Sequence, residues 1–163
     1  MAIHDKACLL GFTIVTAVVQ SCLDSGLLAT TKALVEFTCP VCNSGFEGYT
    51  ISSTNTFGGR DRDFLGRAFG EQPIPLLPKT CPKCFYSGYE SDFASAVDIP
   101  KAVKEQILRQ KVLKPLIQIE AGTKPYEIPA YVRYDLIAQT YQLLGKAKEV
   151  IAHQFLSASW ATR

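Results

Sequence analysis

Apolar side chains recur with the period of a helix in the last third of the chain. One set, at intervals of three and four residues, consists of Tyr134, Ile137, Ala138, Tyr141 and Leu144. Gly145 follows at the position where a left-handed residue commonly ends a helix. A second set, at intervals of four, four and three, consists of Ala147, Ile151, Phe155 and Ala158. Because residues so spaced share one helix face, we predict two antiparallel helices joined by a tight turn.

Shorter signals place a third helix ahead of this hairpin. Asp98-Ile99-Pro100 combines a capping side chain with a proline in the first turn, which predicts a helix from there to about Leu113, ending at Pro115. The helical tail therefore covers residues 98–163. Its hairpin resembles a single tetratricopeptide-type unit, a class of repeat that needs neighbours to bury its faces.

The middle of the chain predicts strands. Residues 34–38 and 46–53 are rich in β-branched and aromatic side chains, as strands are. A small β module over residues 34–95, followed by the helical tail, gives the fold class α+β.

Residues 1–30 have a different character. The uncharged apolar run from Cys8 to Val19 is too short to span a bilayer and has the length of a signal-peptide core. It leads into Val19-Gln20-Ser21-Cys22, which resembles the motif that precedes a lipidated bacterial cysteine. We predict an exported chain in the cell envelope, attached to the membrane by a lipid on Cys22. The alternative is a cytoplasmic protein whose N-terminal helix packs on the domain.

Composition and charge add little to this picture. The chain has 163 residues, of which 47% are apolar and 20% charged, as in ordinary globular domains. Its formal charge of +2 does not by itself indicate a nucleic-acid-binding protein, which needs clustered Lys and Arg. The one modest basic concentration runs from Lys101 to Lys114.

Two Cys-Pro-x-Cys pairs carry the clearest chemistry. Cys39, Cys42, Cys81 and Cys84 can supply four thiolates in two tight pairs, the ligand set of a closed tetrahedral zinc site. Such a site stabilises a fold and has no open position for substrate. The alternatives are two disulfides, favoured if the chain is exported, and unrelated buried thiols. A left-handed residue is expected after each pair, a conformation that Asn43 tolerates and Phe85 adopts with strain.

Arg60-Asp61-Arg62-Asp63 is the most unusual charged stretch. By charge pattern alone it is a solvated turn with weak surface ion pairs. The functional alternative is a partner-binding group held beside the metal site, with planar arginine donors facing an anionic partner.

These features together resemble the bacterial family known as domain of unknown function 2225. The resemblance rests on the order of the two cysteine pairs, the Arg60-to-Phe64 stretch between them, the segment Tyr89-Glu90-Ser91-Asp92-Phe93 and the helical tail, over roughly residues 34–163. It implies a zinc-ribbon-like module with a tetratricopeptide-like tail and supplies no activity.

The sequence favours a non-enzymatic zinc-binding module whose helical tail binds a protein partner. No Ser/His/Asp set, phosphate loop or small-molecule site is evident. One alternative is a nucleic-acid-binding ribbon, in which Arg60, Arg62, Lys79 and Lys83 meet phosphates while Phe85 or Tyr86 stacks on bases. A less favoured alternative is a thiol oxidoreductase that uses a Cys-x-x-Cys pair.

Overall fold

A computed structural model of the chain describes residues 30–163. The predicted signal segment over residues 1–30 and the predicted lipid attachment at Cys22 therefore lie outside the described residues, apart from Thr30. Among residues 30–163, no helix has the length and apolar character needed to cross a membrane.

The described chain begins with an antiparallel hairpin. Strand β1 (Thr31–Thr38) pairs with β2 (Gly45–Ser53), and Phe37 lies opposite Phe46 in the register. These two rings face the core and stack with centroids 5.8 Å apart. Most other β1 side chains are exposed, so the hairpin is anchored mainly at the end that leads into the first cysteine pair.

A second, shorter hairpin carries the second cysteine pair. Strand β3 (Lys79–Thr80) pairs with β4 (Ser87–Gly88). Between the two hairpins, residues 55–69 fold back on themselves around a single bridge between Arg60 and Gly66; we call this segment the finger. Short 3-10 helices over Ile74–Leu76 and Glu90–Phe93 flank the second hairpin. The prediction of an α+β fold is confirmed.

The helix predicted from residue 98 is shorter than its pattern suggests. Helix α1 (Lys101–Glu105) begins after Pro100, without a side-chain cap from Asp98, and continues as a π-helical turn over Gln106–Gln110. Lys111 then takes a left-handed conformation, with φ at 47°. That residue ends the helix before the predicted boundary at Leu113.

The C-terminal helical hairpin is present and turns at the predicted glycine. Helices α2 (Ala130–Leu143) and α3 (Lys148–Ala161) are joined through Gly145, whose φ of 66° confirms the expected left-handed turn. The first predicted stripe is also confirmed, because Tyr134, Ile137, Ala138 and Tyr141 are all buried.

The second predicted stripe is wrong at Phe155. Its ring is 54% exposed, whereas Gln154 and Ser157 are buried. The buried face of α3 is therefore rotated by about one residue. It centres on polar residues, which a search for apolar spacing misses, and Gln154 is satisfied there by the Tyr89 hydroxyl and by the Val150 carbonyl.

Phe155→Ala is expected to have little effect on folding. The ring already meets solvent, so its removal leaves no sealed cavity, and the free energy of unfolding should change by about 0.5 kcal/mol or less. Ile137→Ala, at a buried position of α2, is the comparison and should lower the free energy of unfolding by about 2–5 kcal/mol. Urea denaturation of both variants measures the difference. Equal losses would place the Phe155 ring inside the hairpin.

One apolar cluster joins the β module to the tail. It includes Phe37, Cys39 and Tyr86 from the two hairpins, and Val132 and Leu136 from α2. The buried Arg133 guanidinium strengthens the junction, since it donates to the Pro78 and Pro75 carbonyls at 2.8 and 2.7 Å. The metal-site region therefore depends on α2 for its packing.

Candidate metal centre

Each cysteine pair lies in the loop of one hairpin. In the first loop, the Asn43 amide donates to the Cys39 carbonyl and the Cys39 amide donates to the Ser44 carbonyl. In the second, the Phe85 amide donates to the Cys81 carbonyl. Asn43 and Phe85 both have positive φ, 54° and 60°, as the pattern predicted. The two loops are thus matching turns, which we call the first and second knuckles.

The knuckles bring all four sulfurs together. The Cys39 and Cys84 Sγ atoms are 3.6 Å apart, and those of Cys42 and Cys81 are 3.5 Å apart. All four Sγ atoms lie within 4.8 Å of one another. With Zn–S bonds of about 2.3 Å, the edges of a tetrahedral site measure about 3.8 Å. The observed spacing therefore fits one metal ion bound by four sulfurs.

These sulfurs form no disulfide and are well shielded. All four are free cysteines, as a site of four thiolate ligands requires. Cys39, Cys81 and Cys84 are buried, and Cys42 is half-buried. Among the His, Cys, Asp and Glu side chains of residues 30–163, these four cysteines form the group that is arranged to hold a metal ion.

The cluster favours negative charge at one sulfur. Hydrogen bonds from the Cys39 and Cys84 thiols lower the pKa of Cys81 to about 2. The pKa of Cys39 rises to about 12, chiefly because its proton is held by Cys81, and that of Cys84 rises for a related reason, its bond to Cys39. A bound cation replaces these shared protons, because thiolates rather than thiols bind metal.

Comparison with known proteins places the chain in a family. The model of a family described as "Uncharacterized protein conserved in bacteria (DUF2225)" matches residues 34–163, a range that includes both knuckles and the whole tail. The chain belongs to this family. No curated protein and no solved structure matches the chain.

In this DUF2225 member, the segment after the second knuckle is a structural link that the sequence analysis did not assign. The Asp92 carboxylate accepts from the Tyr141 hydroxyl at 2.6 Å and from the Tyr89 amide at 2.8 Å. Phe93 packs edge-on against Phe46 and Tyr86 within the core. The carboxylate therefore ties α2 to the β module. Asp92 and Tyr141 are far apart in the sequence, so no sequence pattern predicted their hydrogen bond.

The Arg60-to-Asp63 stretch is divided between two roles. Asp61 pairs with Arg67 inside the finger, with N–O distances of 2.9 and 2.8 Å. Asp63 accepts from the Trp160 indole at 2.9 Å and also from Arg163. Both carboxylates thus hold the finger in place. Arg60 and Arg62 are exposed, and their side chains form no ion pair with the residues that the structure describes.

Two residues of the predicted nucleic-acid surface are unavailable. Lys79 is 4% exposed, its ammonium donates to the Leu76 and Leu77 carbonyls, and burial lowers its pKa to about 8. Tyr86 is 1% exposed. Neither side chain can meet a phosphate or stack on a base, so that part of the prediction is wrong.

Proposed function

We propose that this chain is a non-enzymatic module in which a structural zinc ion fixes the fold and the helical tail binds a protein partner. The observation that carries the proposal is the convergence of four sulfurs within 4.8 Å. Four protein ligands fill a tetrahedral coordination sphere, so no position remains for a metal-bound water or substrate. A site of this kind contributes free energy of folding.

The donor set supports zinc as the metal. Four thiolates suit soft or borderline cations and disfavour magnesium and calcium, which take oxygen ligands. Tetrahedral four-sulfur geometry is shared by zinc and by iron–sulfur proteins. The two matched knuckles favour zinc, the usual metal of paired Cys-x-x-Cys sites.

The thiol oxidoreductase alternative has less support. A redox pair needs one reactive, accessible thiolate with its partner cysteine in the same motif. Here the short sulfur contacts join cysteines of different knuckles, and Cys81, whose pKa is lowered, is buried.

The partner surface that we propose lies on the outer side of α3 and on the tip of the finger. Phe155 and Leu156 are 54% and 42% exposed, and Phe64 at the finger tip is 77% exposed. Leu156 lies one helical turn before Trp160, whose indole binds Asp63, the neighbour of Phe64. We call these residues the tail surface: Phe64, Phe155, Leu156 and Trp160.

A helical protein segment suits the tail surface. Helix α3 covers α2 with one face and leaves its other face to solvent, as an outer helix of a tetratricopeptide-type hairpin does before the next hairpin stacks on it. Large apolar side chains at helical spacing are the anchors of helix-to-helix docking. The two unpaired arginines of the finger, Arg60 and Arg62, would favour an acidic rim on that partner.

Metal analysis of protein purified from its own host, under reducing conditions, tests the zinc part of this proposal. We expect one zinc per chain, released together with protons when the pH is lowered, because the ligands bind as thiolates. Iron in place of zinc, or stoichiometric disulfides without metal, would contradict the proposal.

In-cell photo-crosslinking tests the partner part. A photoreactive residue placed at position 156 should crosslink to one defined protein. A photoreactive residue placed at position 155 should give the same product, and adding Leu156→Asp to that chain should abolish it. Lys148→Glu, an exposed change at the start of the same helix, is the control and should leave the product unchanged. Products that are equally abundant from every exposed position would contradict a specific tail surface.

A further inference from the structure

A second surface, separate from α3 and the finger, lies beside the second knuckle. A cleft of about 550 Å³ opens between that knuckle and the segment that follows α1. Its apolar lining includes Phe85, Ile107 and Leu113, which belong to the core cluster or pack against it. Leu108 also lines the cleft and is 45% exposed. The cleft is therefore deep enough to take an apolar side chain against an already ordered floor.

The rim of this cleft is positively charged. Lys83, Lys111 and Lys114 line it, and no carboxylate of residues 30–163 does. All three lysines are exposed, and none forms an ion pair with a carboxylate of residues 30–163. The basic concentration noticed in the sequence from Lys101 to Lys114 thus meets a knuckle lysine around one apolar opening. Such an arrangement attracts an anionic ligand and raises its rate of encounter.

The cleft also contains two of the four non-glycine residues with positive φ in the described chain, Phe85 at 60° and Lys111 at 47°. A π-helical turn over Gln106–Gln110 supplies two further lining residues, Ile107 and Leu108. Left-handed bulky residues and π turns cost conformational energy and are frequent at binding sites.

The rim is held in a fixed position. The Gln139 side chain of α2 binds both backbone groups of Lys114, accepting from its amide at 3.0 Å and donating to its carbonyl at 2.9 Å. Gln139 also donates to Asp135 at 2.6 Å, which orients the amide. The backbone at Lys114 is therefore positioned before any ligand arrives, which lowers the ordering cost of binding.

We propose that this cleft binds an acidic peptide segment of a partner protein, with one leucine or phenylalanine side chain in the cleft and flanking carboxylates on Lys111, Lys114 and Lys83. An apolar floor and lysine point charges suit such a peptide. A single-stranded nucleic acid would need exposed rings for stacking, and it is best held by arginine. Among the lining residues that the structure describes, Phe85 is the one ring and is half-buried against the core, and none is an arginine. The site goes beyond the tail surface and uses different residues.

Fluorescence anisotropy with the full zinc-loaded chain tests this proposal. The probe is a short labelled peptide in which a Leu-Phe pair is flanked on both sides by glutamates. We expect saturable binding that weakens as salt is raised, because exposed charges are screened. The same peptide with glutamines in place of the glutamates should bind at least tenfold more weakly.

Variants locate the binding. The double change Lys111→Glu and Lys114→Glu, and separately Leu108→Ser, should each weaken binding at least tenfold. The matched controls Lys148→Glu and Val150→Ser lie at the start of α3, where Val150 is 41% exposed, and should bind within about twofold of the original chain. Zinc content measured on every variant separates loss of the cleft from loss of the fold, and Leu108→Ser retains the charges if the double variant proves unstable.

Three results would overturn the proposal. Binding that is unchanged by Leu108→Ser would remove the cleft from the site. A loss with Leu156→Ser instead would move binding to the tail surface. A single-stranded oligonucleotide of equal charge that binds as tightly and displaces the peptide would assign the cleft to nucleic acid. All three leave the zinc content, and therefore the structural-zinc part of the proposed function, untouched.

Discussion

Cys81→Ser is expected to unfold the β module. The change removes one of the four converging sulfurs at a fully buried position, and a serine hydroxyl does not replace a thiolate as a ligand of the proposed zinc ion. Structural zinc contributes about 10–16 kcal/mol in zinc-finger peptides, whereas a whole domain is stable by about 5–15 kcal/mol. Losing the site should therefore remove most or all of the stability of the two knuckles and their hairpins.

The damage should extend into the tail. Val132 and Leu136 of α2 share one apolar cluster with the cysteines and with Phe37, so the helix loses its packing partners when the hairpins separate. Circular dichroism should show a loss of helix as well as of strand, and the protein should bind less than one zinc per chain.

The matched control is Lys83→Ser, which changes an exposed residue of the same knuckle and should leave zinc content and thermal unfolding unchanged. A Cys81→Ser protein that kept stoichiometric zinc and cooperative unfolding would show that three sulfurs are sufficient. It would contradict the closed four-sulfur site.

Gly88→Ala is expected to cost about 3 kcal/mol of unfolding free energy. A Cβ at Gly88 would lie 2.6 Å from both the Cβ and Oδ2 atoms of Asp92. The collision must move Asp92 and break its bonds to the Tyr89 amide and the Tyr141 hydroxyl. Overpacking alone costs about 1–3 kcal/mol, and a buried donor left without its acceptor costs about 1–3 kcal/mol.

Gly66→Ala is the matched control for this change. The nearest atom to a Cβ there is Thr56 Cγ2 at 3.9 Å, and the backbone does not have a positive φ. Its unfolding midpoint in urea should stay close to that of the original chain. If Gly88→Ala were equally harmless, Asp92 could not be held as tightly between β4 and α2 as these contacts indicate.

The sequence predicted those features that repeat a local rule. Two matching Cys-Pro-x-Cys pairs predicted the four sulfurs that converge, and the intervals of three and four residues predicted the α2 stripe through Tyr134 and Tyr141. The left-handed residues at Asn43 and Phe85 followed from the turn that each pair must make. Each of these signals lies within a few residues of the feature it predicts.

The features that the sequence did not predict depend on distant residues. Arg133 can be buried in an apolar region because its guanidinium donates hydrogen bonds to the Pro75 and Pro78 carbonyls. No local sequence pattern predicts those partners. The buried face of α3 was misplaced because Gln154 is satisfied by Tyr89. The lysine-rimmed cleft joins Lys83 to Lys111, residues that only the fold brings together.

The placement of each cysteine pair in its own short hairpin has a consequence for assembly. Each knuckle can form locally, and two thiolates of one knuckle can take up a zinc ion before the other knuckle arrives from the far end of a long loop. Closure of that loop within one chain competes with binding of a knuckle from another chain. Which of the two dominates depends on the effective concentration of the second knuckle within the chain relative to the concentration of other chains. Refolding at high protein concentration with little zinc should therefore yield chains bridged through shared metal ions. Dilute protein with one equivalent of zinc should close each site within a single chain.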